Sequence, residues 1–117
     1  MELDNLREFC LKKKWVKEEF PFDEDTLVFK VGSKMFCLVN LIAPTSINIK
    51  CNPEEIPDLI EEYEEILPGY HMNKKYWITL KLEGKLTNKF IFDLIDKSYE
   101  LVFEKFTLKE KKELNNF

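Results

Sequence analysis

Two apolar stretches joined by a Gly-Ser dipeptide restrict the fold of this chain more than any other feature. The stretches are TLVFKV at 26–31 and KMFCLVN at 34–40, and Gly32 opens the two-residue loop between them. Glycine in that position suits a type II′ turn, so the pattern predicts an antiparallel hairpin. Strict alternation of apolar and polar residues in SINIKC (46–51) and KYWITLKL (75–82) predicts two further strands, each with one buried face.

Apolar residues at helical spacing predict three helices around these strands. They cover residues 3–14, 53–67 and 87 to about 106, and Thr87 is expected to cap the last of them. We expect the tail from Thr107 onward to fray. The 117 residues suit a single domain, 1–117. The order of helix, three strands, helix, strand and helix predicts an α+β fold, in which an antiparallel sheet carries its helices on one face.

The other face of the predicted sheet is expected to be open to solvent and basic. If the apolar residues of each strand face the helices, the polar residues of the same strands share the opposite face. That face would present Lys30, Lys34, Asn48, Lys50, Lys75, Trp77, Thr79 and Lys81. It therefore combines ammonium groups with an amide, a hydroxyl and one aromatic ring.

Charge is strongly segregated along the chain, although the net charge is only -4. Residues 53–70 hold seven acidic side chains and no Lys or Arg. Residues 26–52 and 71–82 hold three lysines each and no acidic side chain. The net acidity disfavours nucleic acid as a partner, whereas the segregation predicts a basic surface that could bind it.

The chain lacks the motifs on which common enzymes depend. A single histidine, His71, cannot supply a zinc-binding HExxH motif, and there is no P-loop or GxSxG pattern. The cysteines lack CxxC spacing and fall on apolar positions, which predicts buried thiols at Cys10, Cys37 and Cys51. We therefore expect no enzymatic activity, no cofactor and no metal. No apolar run approaches the roughly 18 residues of a membrane span, so we expect a cytoplasmic protein.

The segment YHMNKKYW (70–77) is the strongest candidate for a functional surface. It could contact phosphates through its two lysines, bond a base edge through Asn73 and stack a base on Trp77. A structural interpretation is equally compatible with the residues: Asn73 bonds the backbone of a turn, while Tyr70 and Trp77 cover the sheet. A structural or ligand-contact role suits His71 better than general-base catalysis, because no orienting carboxylate is adjacent in sequence.

Four segments, in order and over nearly the whole chain, closely resemble the MmcQ/YjbR family. They are FPFDEDTLVFKVGSKMFCLVN (20–40), INIKC (47–51), PGYHMNKKYWITL (68–80) and LIDKSYELV (94–102). The resemblance implies a small bacterial protein with a frataxin-like two-layer α/β sandwich. It also implies a DNA-binding fold of the double-wing type, but no defined operator, ligand or reaction.

The leading hypothesis is a DNA-binding protein that contacts duplex phosphates with low specificity. The residues expected to contact DNA are Lys34, Asn48, Lys50, His71, Asn73, Lys74, Lys75, Trp77 and Lys81. One alternative is a protein-interaction module on the same face, with Trp77 and Phe36 as anchors. Another is a frataxin-like metal or small-ligand binder, for which the acidic segment 53–70 would supply oxygen ligands.

Overall fold

The computed structural model describes residues 1–42, 45–70 and 72–115. Its elements, in chain order, are α1 Leu3–Leu11, β1 Val16–Glu19, β2 Thr26–Val31, β3 Lys34–Asn40, β4 Ser46–Lys50, α2 Ile56–Glu62, β5 Ile66–Pro68, β6 Trp77–Lys81, α3 Asn88–Glu104 and α4 Leu108–Leu114. The six strands form one antiparallel sheet in the order β1-β2-β3-β4-β6-β5. The α+β class with an antiparallel sheet is confirmed.

The hydrophobic core lies between the sheet and the helices. Alternate residues of β4 and β6, such as Ile47, Ile49, Ile78 and Leu80, are buried there, and α3 packs against β3 and β4. The long helix α3 begins at the predicted cap, where the Thr87 hydroxyl accepts a hydrogen bond from the amide of Phe90. The opposite sheet face, called the open face below, carries a smaller buried cluster of Val28, Leu38 and Trp77.

A β-bulge in β3 changes which residues reach each face. The pairing shifts between Phe29 and Lys30, so Phe36 is an additional residue opposite β2. Phe36 and Cys37 are consecutive, yet both are buried in the core between sheet and helices. The bulge turns Met35 to the open face. Lys34, predicted on the open face, lies instead toward Phe106 and Glu110 on the helical side.

The hairpin and the thiols agree with the sequence prediction. The strands β2 and β3 have the expected bounds, and Gly32 has φ 59, which glycine adopts without steric cost. All three cysteines are free and buried. Among the described residues, no helix has the length and apolar character that would be required to cross a bilayer.

Two short edge strands were missed by the sequence prediction. Strand β1 pairs with β2, and β5 pairs with β6. The predicted helix 53–67 is therefore wrong in extent, because α2 ends at Glu62 and Tyr63 is extended. Leu67, the last residue of the predicted helix, lies in β5.

The segment after Thr107 was predicted to fray, but it forms a helix. Thr107 and Glu110 form a capping box, in which each side chain accepts a hydrogen bond from the other residue's backbone amide. Leu114 at the end of α4 is buried, and its Cδ2 lies 2.8 Å from where a Cβ on Gly32 would be. The C-terminal helix thus packs against the hairpin loop.

Candidate nucleic-acid interface

Four lysines from separate segments converge at one end of the molecule. Lys34 begins β3, Lys50 ends β4, and Lys105 follows α3. Lys50 pairs with Trp77 at the start of β6, so the loop before β6 reaches the same end of the sheet. This loop carries Lys75. We call Lys34, Lys50, Lys75 and Lys105 the basic cluster.

The ring of Tyr76 lies between two of these lysines. The Nζ atoms of Lys75 and Lys105 are 5.4 and 5.3 Å from its centroid. The Nζ of Lys50 is 5.8 Å from the neighbouring Trp77 ring. An ammonium over an aromatic face gains roughly 0.5–1 kcal/mol at an exposed site, so these rings help to hold like charges together.

The electrostatics of Lys50 show how closely these charges are placed. Partial burial lowers the pKa of Lys50 below its ordinary value, and the charges of Lys105 and Lys34 lower it further. A carboxylate of Glu110 lies 3.8 Å from Lys34 and relieves part of the repulsion. Lys50, Lys75 and Lys105 have no ion pair among the described residues. An anion at this end would therefore be attracted by several charges at once.

The loop 72–76 contains both a structural residue and exposed basic residues. Asn73 is structural, since its side-chain oxygen accepts a hydrogen bond from the Lys75 amide at 2.9 Å. The Asn73 carbonyl oxygen accepts two more, from the amides of Tyr76 and Trp77. Lys74 and Lys75 are exposed. Lys75 precedes β6, which begins at Trp77 and not at residue 75 as predicted, so Lys75 belongs to a turn and not to the open face.

Both predicted aromatic anchors are buried. Trp77 does lie on the open face, but only 6% of it is exposed, because Met35, Met72 and Tyr76 pack around its cluster. Phe36 has no exposed surface and packs edge-on against Tyr99 on the helical side. Neither ring can stack on a base or anchor a protein partner without rearrangement.

The other residues that were predicted to contact DNA lie at two different ends of the open face. Asn48 lies beside Lys50 on that face. Lys81 is exposed at the far end of β6, opposite Ser46, and so lies outside the basic cluster. Lys30 pairs with Glu19 at 2.9 Å. His71 lies outside the described residues.

A groove of about 600 Å³ crosses the open face next to the basic cluster. Residues of β3, β4 and β6 form its floor, and the loops before β2 and after β5 form its walls. The described residues that line it are Phe22, Asp23, Thr26, Leu38, Val39, Asn40, Ser46, Asn48, Leu67, Pro68, Tyr70, Met72 and Thr79. We call it the open-face groove.

The acidic segment forms a second groove, between α2 and α3, of about 760 Å³. The charged residues in its described lining are Glu55, Asp58 and Glu62 from the α2 region and Lys89, Asp93, Asp96, Lys97 and Glu100 from α3. Within residues 1–42, 45–70 and 72–115, no group of three or more His, Cys, Asp or Glu side chains could hold a metal ion.

Comparison with known proteins agrees with this architecture. The family model of YjbR matches residues 11–101. The chain belongs to the YjbR family. Its relatives include two Escherichia coli proteins. YbdF is 32% identical over 110 residues, which are 93% of this chain and 90% of YbdF. YjbR is 27% identical over 101 residues, which are 86% of each chain.

Solved structures of similar proteins have the same fold as this YjbR-family chain. A crystal structure of a Deinococcus radiodurans protein superposes with a TM-score of 0.89 at 39% identity and covers 97% of this chain and 87% of its own. A Pseudomonas syringae protein superposes with a TM-score of 0.73 at 29% identity, over 86% and 98% of the two chains. The predicted family and the two-layer α+β fold are confirmed.

Sequence reasoning missed Tyr76 and Lys105 as members of the site. Tyr76 had been assigned to the core by its position in the alternating pattern, whereas it precedes β6 and lies between two lysines. Lys105 lies far along the chain from the other basic residues, and no local pattern places it beside them. The one sequence feature that could have placed Lys105 in the site is its position just after a long helix that packs across the sheet.

Proposed function

We propose that this YjbR-family chain is a non-enzymatic, cytoplasmic DNA-binding protein whose basic cluster binds phosphates with low sequence specificity. The convergence of Lys75 and Lys105 on the ring of Tyr76 is the observation that carries the proposal. Lysines from four segments are held near one another without enough carboxylates to neutralise them, and a phosphate backbone would supply that neutralisation.

The composition of the cluster argues for phosphate contact more than for base recognition. Lysine is a point charge with three donors, and it lacks the planar fork with which arginine reads guanine. The exposed Lys74 adds a further positive charge next to Lys75. Because the molecule as a whole is negative, binding would depend on orienting the basic cluster toward the DNA.

A salt titration with a labelled duplex tests this function. Four phosphate contacts would give a slope of log affinity against log salt of about -3.6, from roughly -0.9 for each phosphate. Replacing Lys75 and Lys105 together by Gln should weaken binding and change the slope by about 1.8 toward zero. A slope near zero for the unaltered chain, or no binding at low salt, would refute the proposal.

A matched control separates the basic cluster from the overall charge. Lys85→Gln with Lys89→Gln removes the same charge near the start of α3, while Lys105 follows its end. A helix of 17 residues spans about 25 Å, so the control pair is far from the cluster. The control should bind as the unaltered chain does; equal losses in both variants would mean that only net charge matters.

A protein-interaction module is the second candidate, and the exposed loop before β2 favours it. Phe20 and Phe22 in this loop are both large, apolar and more than half exposed. These residues would replace the buried Trp77 and Phe36 as anchors. A partner captured at a salt concentration that releases DNA, and lost on Phe20→Ser, would favour this candidate over the first.

A further inference from the structure

The open-face groove differs from the basic cluster in having almost no charge. Among the described residues that line it, Asp23 is the only one with a charged side chain. The Oδ1 of Asp23 accepts hydrogen bonds from the amides of Asp25 and Thr26, at 2.9 and 2.7 Å, which lower its pKa. The rest of the lining is amide, hydroxyl, aliphatic and aromatic, which suits an uncharged ligand with both polar and apolar parts.

A chain of hydrogen bonds determines which end of the Asn48 amide faces the groove. The amide of Tyr70 donates to the Thr79 hydroxyl at 2.8 Å, so this hydroxyl directs its proton elsewhere. It donates to Oδ1 of Asn48 at 2.6 Å. The Nδ2 of Asn48, with two N–H donors, therefore points away from Thr79, and it has no partner among the described residues. Asn48 thus offers two donors to the groove.

Aromatic rings line the groove on both sides. Phe22, before β2, is 63% exposed, and Tyr70, after β5, is 68% exposed. Exposed rings of this kind provide surfaces on which a planar ring can stack. Leu38 on the floor and Met72 in the wall add apolar contact.

The groove and the basic cluster are continuous along β4. Asn48 and Lys50 lie two residues apart on the same face, and two residues of a strand span about 6.8 Å. This is the scale of a single nucleotide from its base to its phosphate. A nucleotide whose phosphate contacts Lys50 could therefore place its base in the groove.

We infer that the open-face groove binds one unstacked nucleobase, whose carbonyl oxygen accepts a hydrogen bond from Asn48 and whose ring packs against Phe22. This inference rests on the proposed function for the neighbouring phosphate. It makes single-stranded DNA the preferred partner, since a base within a duplex is paired and stacked. It also predicts selectivity, because a base that presents carbonyl oxygens to the two Asn48 donors should bind better than adenine, which has no carbonyl oxygen. Thymine, with two carbonyl oxygens, is favoured.

The decisive measurement is the affinity ratio between short thymidine and adenosine oligonucleotides, determined by fluorescence anisotropy at low salt. Asn48→Asp keeps the side-chain shape and the bond from Thr79 but removes both donors, so the thymidine preference should fall at least fivefold. Asn5→Asp makes the same chemical change at an exposed position of α1 and should leave the ratio unchanged. Because the ratio is compared between variants, differences in strand flexibility cancel. Equal ratios in the two variants would overturn the inference.

The stacking contact is tested by Phe22→Ala. Base stacking on an aromatic ring contributes roughly 1–3 kcal/mol, so affinity for the thymidine oligonucleotide should fall about tenfold. Leu108→Ala is the control, since Leu108 is 80% exposed in α4. Both substitutions remove exposed side chains, so neither should impair folding. Unchanged affinity in Phe22→Ala would count against a base in the groove.

Binding of free thymidine shows whether the groove accepts a base that is not part of a DNA strand. The same measurement tests this inference separately from the proposed function. Its binding is followed by NMR through the side-chain amide signals of Asn48. If thymidine binds and Asn48→Asp abolishes this binding, the groove accepts the base. If the same result is obtained but no DNA binds, the DNA proposal alone fails. If duplex DNA binds through the basic cluster while Asn48→Asp and Phe22→Ala have no effect on any ligand, the groove inference alone is wrong.

Discussion

The Ser98 hydroxyl of α3 donates a hydrogen bond of 2.6 Å to the carbonyl oxygen of Phe36, the additional residue of the β3 bulge. The same hydroxyl accepts a hydrogen bond of 2.8 Å from the Lys50 amide at the end of β4. One buried side chain therefore satisfies two backbone groups that the sheet does not pair. The Ser98 hydroxyl therefore links the bulge and α3 to the end of β4 that carries Lys50.

Replacing Ser98 by Ala should lower the free energy of unfolding by about 2 kcal/mol, because it leaves two buried backbone groups without their partner. Urea denaturation measures this change. Ser33→Ala, in the exposed hairpin loop, should change stability by less than about 0.5 kcal/mol. If Ser98→Ala is as stable as the control, the hydroxyl is not the group that satisfies these atoms.

The thiols should be inert in the native protein. Cys10 and Cys37 are fully buried, and burial raises the pKa of Cys51 to about 11. A disulfide reagent at about pH 8 reacts by attack of a thiolate on its disulfide sulfur, and thiolates are scarce in the folded chain under these conditions. We expect negligible labelling of the folded chain and three labelled thiols in concentrated denaturant. Rapid native labelling at any cysteine would show that the core opens there.

Stability should depend on the ion pair between Arg7 of α1 and Glu18 of β1, whose Nε and Oε2 are 2.9 Å apart. Hydrogen bonds from Arg7 lower the pKa of Glu18 below its ordinary value of 4.5. A lowered pKa stabilises the fold above pH 4.5, and this contribution disappears as pH falls through the folded-state pKa.

Glu18→Gln should therefore lower the thermal midpoint near neutral pH, and the difference from the unaltered chain should vanish in acid. The effect should be small, because the two side chains are 39% and 32% exposed. Glu113→Gln, at an exposed position of α4, is the control. A difference that grows as the pH is lowered would have the wrong sign for this ion pair.

Gly32 and Leu114 should be energetically coupled. Gly32→Ala forces a positive φ on alanine, which costs roughly 1–2 kcal/mol, and places a Cβ 2.8 Å from Leu114. Leu114→Ala should cost about 2 kcal/mol or more through lost burial. The double variant, measured by urea denaturation, should cost less than both changes together, since the smaller side chain that replaces Leu114 makes room for the new Cβ. Additive costs would contradict the packing of α4 on the hairpin.

Local patterns were sufficient for the elements that are stabilised by their own neighbours in sequence. The hairpin at Gly32 and the cap of α3 at Thr87 depend on residues a few positions apart, and both were predicted correctly. The capping box of Thr107 and Glu110 was also visible as a T-x-x-E pattern, and α4 could have been predicted from it.

The elements that were missed depend on distant partners. Strand β1 has the sequence VKEE and is held by its backbone pairing with β2, with ion pairs from Glu18 to Arg7 and from Glu19 to Lys30. In the β3 bulge, the carbonyl oxygen of the additional residue accepts a hydrogen bond from the Ser98 hydroxyl of α3. For the same reason the sequence indicated a basic surface but not its arrangement, since Lys105 reaches Tyr76 only through the path of α3 over the sheet.

The two edge strands also bear on how the chain behaves at high concentration. An open sheet ends in backbone groups that can pair with another molecule and begin aggregation. Here β5 is only three residues long and ends in Pro68, which has no amide hydrogen to donate. Strand β1 carries Lys17, Glu18 and Glu19 in its four residues. Neither edge offers a long apolar template, so the sheet should resist extension into fibrils while its open face stays accessible.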